Sequence, residues 1–351
     1  MEALHSATRA ALDAAARGVR GANPLVGAAV LWDDGTFTTG YHQGADTPHA
    51  EPDALRNASP RSTTGATLVV TLEPCSHTGR TGPCTQAIID AGIARVVIAS
   101  RDPNPSASGG AQVLTEAGVE VLFLNDLGQP WAHELAAQAH RLNARWFTAV
   151  THDRPFITAK IAQSLDGCVA ARDRTSQWIT GAESRAHAHL TRARVDAIAV
   201  GTGTAHADNP RLTARTDGGS GADRQADTET HLGAPHQPIP VVFGTTPLPE
   251  DSHLGRNPRT LTYTDVGAGL RDLRRRGVSH LLVEGGPTLM AHFLQHDLVD
   301  ELHVYTAPLL LGDGVRSPLN VETLAHALTF VPDAPPEALG SDTFTRFMKE
   351  V

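Results

Sequence analysis

Cysteine is scarce in this chain, with only Cys75, Cys84 and Cys168 among 351 residues. So sparse and odd a count makes no disulfide framework, and it fits a reducing compartment where thiols stay free to bind metal. No apolar run approaches the roughly 18 residues that cross a bilayer. The stretch from Met1 to Arg20 is charged throughout and lacks the apolar core of a signal peptide. A soluble cytoplasmic protein is the expectation. Basic residues are outnumbered, 29 against 38 acidic, for a formal charge of −9. That balance leaves no global footprint for nucleic acid, and only a local basic groove could serve one. No internal repeat is visible. With 40% hydrophobic and 19% charged residues the chain has the make-up of a packed globular protein, at a length that suits two domains.

The hydrophobic pattern alternates between helical and strand periods. Residues 3–18 read as an opening helix ended by Gly18 and Gly21. Asn23-Pro24 leads into an apolar strand, Asp33-Asp34-Gly35 marks a hairpin turn, and Thr36 to Tyr41 reads as the return strand. Helices are expected at 49–57, 85–92, 110–118 and 131–146, with strands at 66–72, 95–100 and 119–124. A second unit opens with a strand at 155–162, then a helix at 183–194 and strands at 196–201, 239–243, 280–284 and 301–307. Gly285-Gly286-Pro287 opens a helix to about His296, and residues 216–236 form a polar insertion with almost nothing to bury. Strands alternating with helices argue for α/β architecture, divided into domains 1–147 and 148–351.

The chemistry concentrates between His49 and Cys84. His49-Ala50-Glu51 opens a helix, and a strand ends in Glu73-Pro74-Cys75, with Cys84 following at the start of another helix. One imidazole and two thiols at helix starts supply three ligands for a catalytic zinc and leave an open position for water. Zinc on His49, Cys75 and Cys84 would bring a water's pKa toward neutrality, and Glu51 could carry its proton to a leaving amine. The form is that of zinc deaminases, His-x-Glu followed by Pro-Cys and a second Cys, but eight residues separate the cysteines instead of two. His77 within that loop is a competing ligand, ranked as a substrate-lining group because three ligands complete the catalytic set. A structural zinc domain would instead need a fourth ligand and have no use for Glu51. Cys168 reads as small buried filler.

Longer strings carry a resemblance. Asn23-Pro24-x-Val26-Gly27, His49-Ala50-Glu51 and Thr71-Leu72-Glu73-Pro74-Cys75-Ser76-His77-x-Gly79-Arg80-Thr81-x-Pro83-Cys84 resemble the bifunctional riboflavin-biosynthesis deaminase/reductase family. So do Ser164-Leu165-Asp166-Gly167, Ser176-Gln177-Trp178-Ile179-Thr180, Ala207-Asp208-Asn209-Pro210-x-Leu212-Thr213 and Glu284-Gly285-Gly286-Pro287-Thr288-Leu289. Gly82 stands where the family usually has proline, which leaves the ligands alone.

The resemblance implies a cytidine-deaminase-like three-layer α/β/α domain followed by a dihydrofolate-reductase-like α/β domain. It implies one zinc ion per chain with Glu51 catalytic. The first domain would deaminate 2,5-diamino-6-ribosylamino-4(3H)-pyrimidinone 5′-phosphate, and the second would use NADPH to reduce its ribosyl group to ribityl. Asn23, Ser176, Arg192, Leu212, Arg215 and Glu284 would face substrate. NADPH would lie against Ala162, Trp178, Thr204, Asp208 and Gly286, Pro287, Thr288 and Leu289, with Lys160 and Asp166 near the reductase site. Arginine suits a sugar phosphate through its bidentate fork, and Gly285-Gly286 offers bare amides to an anion. Arg194 reads as surface. The expected partner is this small pyrimidine phosphate, with homo-oligomerisation open. The competing enzyme reading is a nucleoside or nucleobase deaminase fused to a nucleotide-binding domain that lacks reductase activity.

Overall fold

The computed structural model of the chain describes residues 1–18, 23–44, 47–76, 82–104, 108–215, 237–316, 319 and 321–349. His77, the Gly79 to Thr81 part of the loop between the cysteines, Gly21 and the insertion at 216–236 lie outside the described residues. The chain divides into two compact units, Met1–Asp153 and Arg154–Val351.

The first unit runs α1 (Glu2–Ala15), β1 (Gly27–Leu31), β2 (Phe37–Tyr41), α2 (Ala50–Asn57), β3 (Thr67–Val70), α3 (Cys84–Asp90), β4 (Arg95–Ile98), α4 (Gly110–Glu116), β5 (Glu120–Phe123) and α5 (Pro130–Thr151). Its sheet has the order β2-β1-β3-β4-β5, with β1 antiparallel to its neighbours and β3, β4 and β5 parallel. Strand alternation sends Val30, Leu68, Val70, Val96 and Ile98 to one face, against Ala54 of α2, Ile88 of α3 and Leu114 of α4. Val69 and Val97 face the other way, against Ala11 of α1 and Leu135 and Ala139 of α5. These are the three α/β/α layers that the resemblance implied. Helix α5 runs on past position 147, so that the division falls at Asp153.

The second unit runs β6 (Phe156–Ser164), α6 (Ala182–Arg192), β7 (Ala197–Gly201), α7 (Thr202–Asp208), β8 (Ile239–Phe243), α8 (His253–Arg256), β9 (Leu261–Tyr263), α9 (Val266–Arg275), β10 (His280–Val283), α10 (Pro287–Gln295) and β11 (Glu301–Ala307). Three antiparallel strands close it: β12 (Phe330–Pro332), β13 (Glu337–Leu339) and β14 (Asp342–Lys349). The sheet order is β12-β14-β11-β6-β10-β7-β8-β9, with β13 paired to β14. From β11 to β9 every pairing is parallel. The chain passes from β6 to β7, and only later inserts β10 between them. In an open parallel sheet such a reversal of strand order leaves a crevice at the carboxyl ends of the strands, where ligands bind. Helices α9 and α10 cover one face through Leu270, Leu273 and Phe293, and Leu254 of α8 and Ala205 of α7 pack on the other.

Close approach of β1 to α1 requires Gly27, because a Cβ there would lie 2.0 Å from the Ala11 carbonyl oxygen. Backbone on both sides leaves no side chain to give way. We expect Gly27→Ala to cost the first unit about 2 kcal/mol in urea unfolding. Gly82→Ala, whose Cβ would meet nothing within 4 Å, serves as the neutral control.

Candidate active sites

In the first unit, His49 is the N-cap residue of α2 and Glu51 lies in that helix's first turn. Cys75 follows β3 after a short turn, and Cys84 is the first residue of α3. Chain segments from the two helix starts and the strand end thus deliver their donors to one point. His49 Nδ1 lies 3.2 Å from Cys84 Sγ and 3.6 Å from Cys75 Sγ. All three ligand atoms fall within 4.8 Å of one another, the sole cluster of this kind among the described residues. A tetrahedral zinc with ordinary Zn–N and Zn–S bonds would hold nitrogen and sulfur about 3.6 Å apart. The donor set and its spacing fit that ion.

The electrostatics of the cluster point the same way. The hydrogen bond with Cys84, with help from His49, holds the Cys75 thiol down at about 4, while sharing that charge with Cys75 pushes Cys84 up. One sulfur is therefore ready to ligate, and a cation between the two would let both ionise. The hydrogen bond to Cys75 pulls His49 up, and burial pushes the Glu51 carboxyl up. Glu51 is 3% exposed, with Oε2 3.3 Å from Cys84 Sγ.

Two neighbours brace this site. Glu73 is buried, and its carboxylate accepts from the backbone amides of Asp102 (3.3 Å), Gly109 (3.2 Å) and Ala111 (3.0 Å). It ties the strand end carrying Cys75 to the start of α4, where a Cβ on Gly110 would sit 1.8 Å from the Pro74 carbonyl oxygen. His42 stands edge-on to His49 with ring centroids 5.4 Å apart. Its Nδ1 faces the Pro48 carbonyl at 3.1 Å and its Nε2 faces Asn23 Nδ2 at 3.1 Å. A carbonyl can only accept, so Nδ1 carries the proton and Nε2 accepts from Asn23. The Asn23 carbonyl oxygen then remains as its acceptor.

In the second unit the crevice beside β10 holds a charged knot. Glu284, directly after β10, receives a two-pronged pair from Arg192, the last residue of α6: Nε to Oε1 and Nη2 to Oε2, each at 2.8 Å. Lys160 of β6 approaches the same carboxylate at 3.5 Å. Burial would raise Glu284, but Arg192 and Lys160 together hold it well below the usual carboxylate range. Arg192 also donates to the Thr213 carbonyl at 3.2 Å, and Arg215 meets His189 of α6 at 3.2 Å. Nearby, α7 and α10 each start at the end of a parallel strand, and Thr204 Oγ1 accepts from the Gly286 amide at 2.8 Å. That amide is therefore taken by Thr204, which joins the two helix starts.

The remaining residues singled out in sequence fall into two groups. Trp178 is 62% exposed, with the Arg185 guanidinium 4.6 Å from its ring centroid. Leu212 is buried with a left-handed φ of 52°, while Asp208 ends α7 with its carboxyl raised by burial. Ala162 lies on β6 opposite Tyr305, and Ser176 is exposed. Pro287, Thr288 and Leu289 form the first turn of α10. Asp166 serves its own loop: Ser164 Oγ at 2.5 Å and the Leu311 and Gly312 amides bind its carboxylate and hold it at about 2.

Comparison with known proteins identifies the architecture. A riboflavin biosynthesis protein RibD from Corynebacterium ammoniagenes is 43% identical over 333 residues, covering 93% of this chain and 90% of that protein. The chain belongs to the RibD family of riboflavin biosynthesis proteins. The RibD C-terminal domain matches residues 155–331, and the cytidine and deoxycytidylate deaminase zinc-binding region matches residues 1–100. Acinetobacter baumannii RibD superposes with a TM-score of 0.79 at 31% identity, covering 100% of this chain and 99% of that one. A Thermotoga maritima protein described as a diaminohydroxyphosphoribosylaminopyrimidine deaminase/5-amino-6-(5-phosphoribosylamino)uracil reductase gives 0.77 at 29% identity, covering 99% of each. A zinc-binding deaminase domain and a RibD reductase domain thus share the chain, as its sequence strings implied.

The bracing residues of this RibD-family chain were not singled out from sequence. Glu73 stands inside a quoted string, yet its partners lie 29 to 38 positions away. His42 and His189 carry no motif of their own. The Arg192–Glu284 pair does have a measurable consequence. Because Glu284 is depressed in the fold, its contribution is fully present above the ordinary carboxylate pKa of about 4.3 and is lost as pH falls through and below it. Arg192→Met leaves a buried, half-paired carboxylate, for a loss of about 3 kcal/mol at neutral pH. Denaturant melts on the two proteins should show that deficit shrinking as pH falls through and below about 4.3, where the carboxylate takes up a proton.

Proposed function

We propose that the chain catalyses two successive steps on one riboflavin precursor. Unit 1 removes the 2-amino group of 2,5-diamino-6-ribosylamino-4(3H)-pyrimidinone 5′-phosphate by hydrolysis. Unit 2 reduces the ribosyl group of the product to ribityl with NADPH, giving 5-amino-6-ribitylamino-uracil 5′-phosphate. The observation that carries the reading is the convergence of His49, Cys75 and Cys84 beside the buried Glu51.

In this reading His49, Cys75 and Cys84 would hold the metal, with the Glu51 carboxyl 3.3 Å from Cys84 Sγ. Zinc, when bound, supplies the Lewis acid that brings a water's pKa near 7. Glu51 takes the proton from the attacking water and delivers it to the departing amine, and its burial keeps that proton from bulk solvent. Asn23 presents its carbonyl oxygen to a donor on the pyrimidine, oriented by His42. Glu73 holds the loop that backs the strand end.

In unit 2, Arg192, Arg215 and Ser176 take the phosphoribosyl part, with Glu284 fixed between Arg192 and Lys160 to receive sugar hydroxyls. The exposed ring of Trp178, Ala162, Thr204, Asp208 and the first turn of α10 line the cofactor side. NADPH, when bound, supplies the hydride. Asp166 acts at a distance by holding the loop after β11. The enzyme works on a small molecule in the cytoplasm, where the thiols stay reduced. No described helix is long and apolar enough to cross a membrane.

A coupled assay that follows ammonia release and NADPH oxidation in zinc-replete protein tests both halves. Glu51→Gln should cut ammonia release about a thousandfold while zinc content and NADPH oxidation on the deaminated substrate persist. Retained ammonia release would overturn the deaminase mechanism, and ammonia without NADPH loss would reject the reductase. A strong chelator should stop the first reaction and leave the second running.

A further inference from the structure

Asn143 lies on α5 one turn after Ala139, which packs in the same apolar layer as Val69 and Val97. Residues four apart share a helix face, so Asn143 also points into unit 1, and only 2% of it is exposed. Its side chain grips a single residue twice. Oδ1 accepts from the Leu25 amide at 2.8 Å, and Nδ2 donates to the Leu25 carbonyl at 2.9 Å. Leu25 is buried and precedes β1, so strand pairing does not serve its backbone. An asparagine amide carries a donor and an acceptor much as a peptide does, and here it pairs with Leu25 as a neighbouring strand would.

The neighbours of Leu25 carry this grip to the metal cluster. Downstream, the His42 amide donates to the Val26 carbonyl at 3.0 Å, and the Gly27 amide donates to Thr71 Oγ1 at 3.0 Å. Upstream comes Pro24, whose ring fixes its own φ and confines the residue before it, Asn23, to extended backbone. Few soft dihedrals therefore separate the clamped Leu25 peptide from Asn23. Asn23 is exposed, and its Nδ2 donates to His42 Nε2 at 3.1 Å. His42 in turn stands edge-on to His49.

We propose that Asn143 is a positioning residue for the deamination: by holding both backbone groups of Leu25, it fixes Asn23 where the pyrimidine can reach it beside His49. The inference rests on the reading of Asn23 as a substrate contact. The two grips on Asn23 do different work. Asn143 sets where its backbone lies, and His42 sets which way its amide is turned. An apolar residue at 143 would leave the buried Leu25 amide and carbonyl without this partner, and the segment would shift to satisfy them. A displacement of about 1 Å at Asn23 takes a hydrogen bond out of range.

The test is steady-state ammonia release by the full-length, zinc-replete protein. Asn23→Ala should raise KM for the diaminopyrimidine phosphate about fivefold, the worth of one hydrogen bond, with kcat little changed. Asn143→Leu should raise KM to a similar extent, while zinc content and the reductase KM values stay as they were. In the Asn23→Ala background, Asn143→Leu should add nothing further, because the contact it positions is already gone. Leu135→Ala, which loosens α5 through a side chain buried in its apolar face, should lower the melting temperature and leave KM unchanged. If Asn23→Ala raises KM and Asn143→Leu does not, the positioning role is overturned while the reading of Asn23 stands. If Asn23→Ala leaves KM unchanged, the reading of Asn23 itself fails. An Asn143→Leu effect that Leu135→Ala reproduces, that falls on kcat alone, or that adds in full to Asn23→Ala also overturns the proposal. Should Asn143→Leu lose its thermal transition, Asn143→Ala takes its place in each comparison.

Discussion

A carboxylate withdrawn from water costs several kcal/mol unless donors or cations meet it, and Glu51, Glu73 and Glu284 are all buried. What meets each one decides its task. Glu73 is met by three backbone amides and ties loops together. Glu284 is met by Arg192 and Lys160, stays ionised, and becomes a fixed charge in a binding crevice. Glu51 meets the Cys84 sulfur, with no arginine or lysine pair among the described residues, and burial raises it. A carboxyl in that state can hold a proton and give it up, whereas Glu284 cannot. In the proposed mechanism the same side chain thus serves as tether, counter-charge and proton carrier, according to its neighbours.

Parallel strands explain why these groups gather where they do. A parallel pair needs a crossover, so each strand end is followed by a loop and a helix start on the same edge of the sheet. In unit 1 the end of β3 brings Cys75 to the starts of α2 and α3. In unit 2 the insertion of β10 between β6 and β7 puts Glu284 beside Lys160 and sets the starts of α7 and α10 together through Thr204 and Gly286. The chemistry-bearing residues ride on these edges, while the strand interiors carry the Val, Ile and Ala that pack the layers.

Legibility followed sequence separation. The candidate metal donors span 35 positions and sit in strings whose order and helix-start context are visible in one dimension. Helices such as α5 and α6 were readable from their period, and so were the buried strands β3, β7 and β10. The closing strands β12, β13 and β14 escaped because two of them are three residues long and exist only by pairing with the third. Helix α9 escaped too, although Val266, Leu270 and Leu273 keep helical spacing between its arginines. Residue spacing alone could not separate Arg192 from Arg194; the fold does, turning one onto Glu284 and leaving the other exposed. Nor could it show that the Gly286 amide is spent on Thr204 and not left bare.

The separations also set how each site responds to change elsewhere. The pair joining Arg192 to Glu284 spans 92 positions, and that joining Lys160 to Glu284 spans 124. Such contacts exist only when the whole parallel sheet is in register, since a shift of one residue would turn Lys160 to the opposite face. The Arg154–Asp300 pair at 2.7 Å helps fix that register, because Asp300 also accepts from the Ile157 amide at the start of β6. A packing defect in the sheet of unit 2 therefore reaches its charged knot directly. The metal cluster instead depends on two helix starts and one strand end, and the Glu73 tether supports it locally. If the knot binds substrate as proposed, damage to the second sheet should be felt as weakened substrate binding before it is felt as unfolding, because the knot loses alignment while the apolar layers still hold.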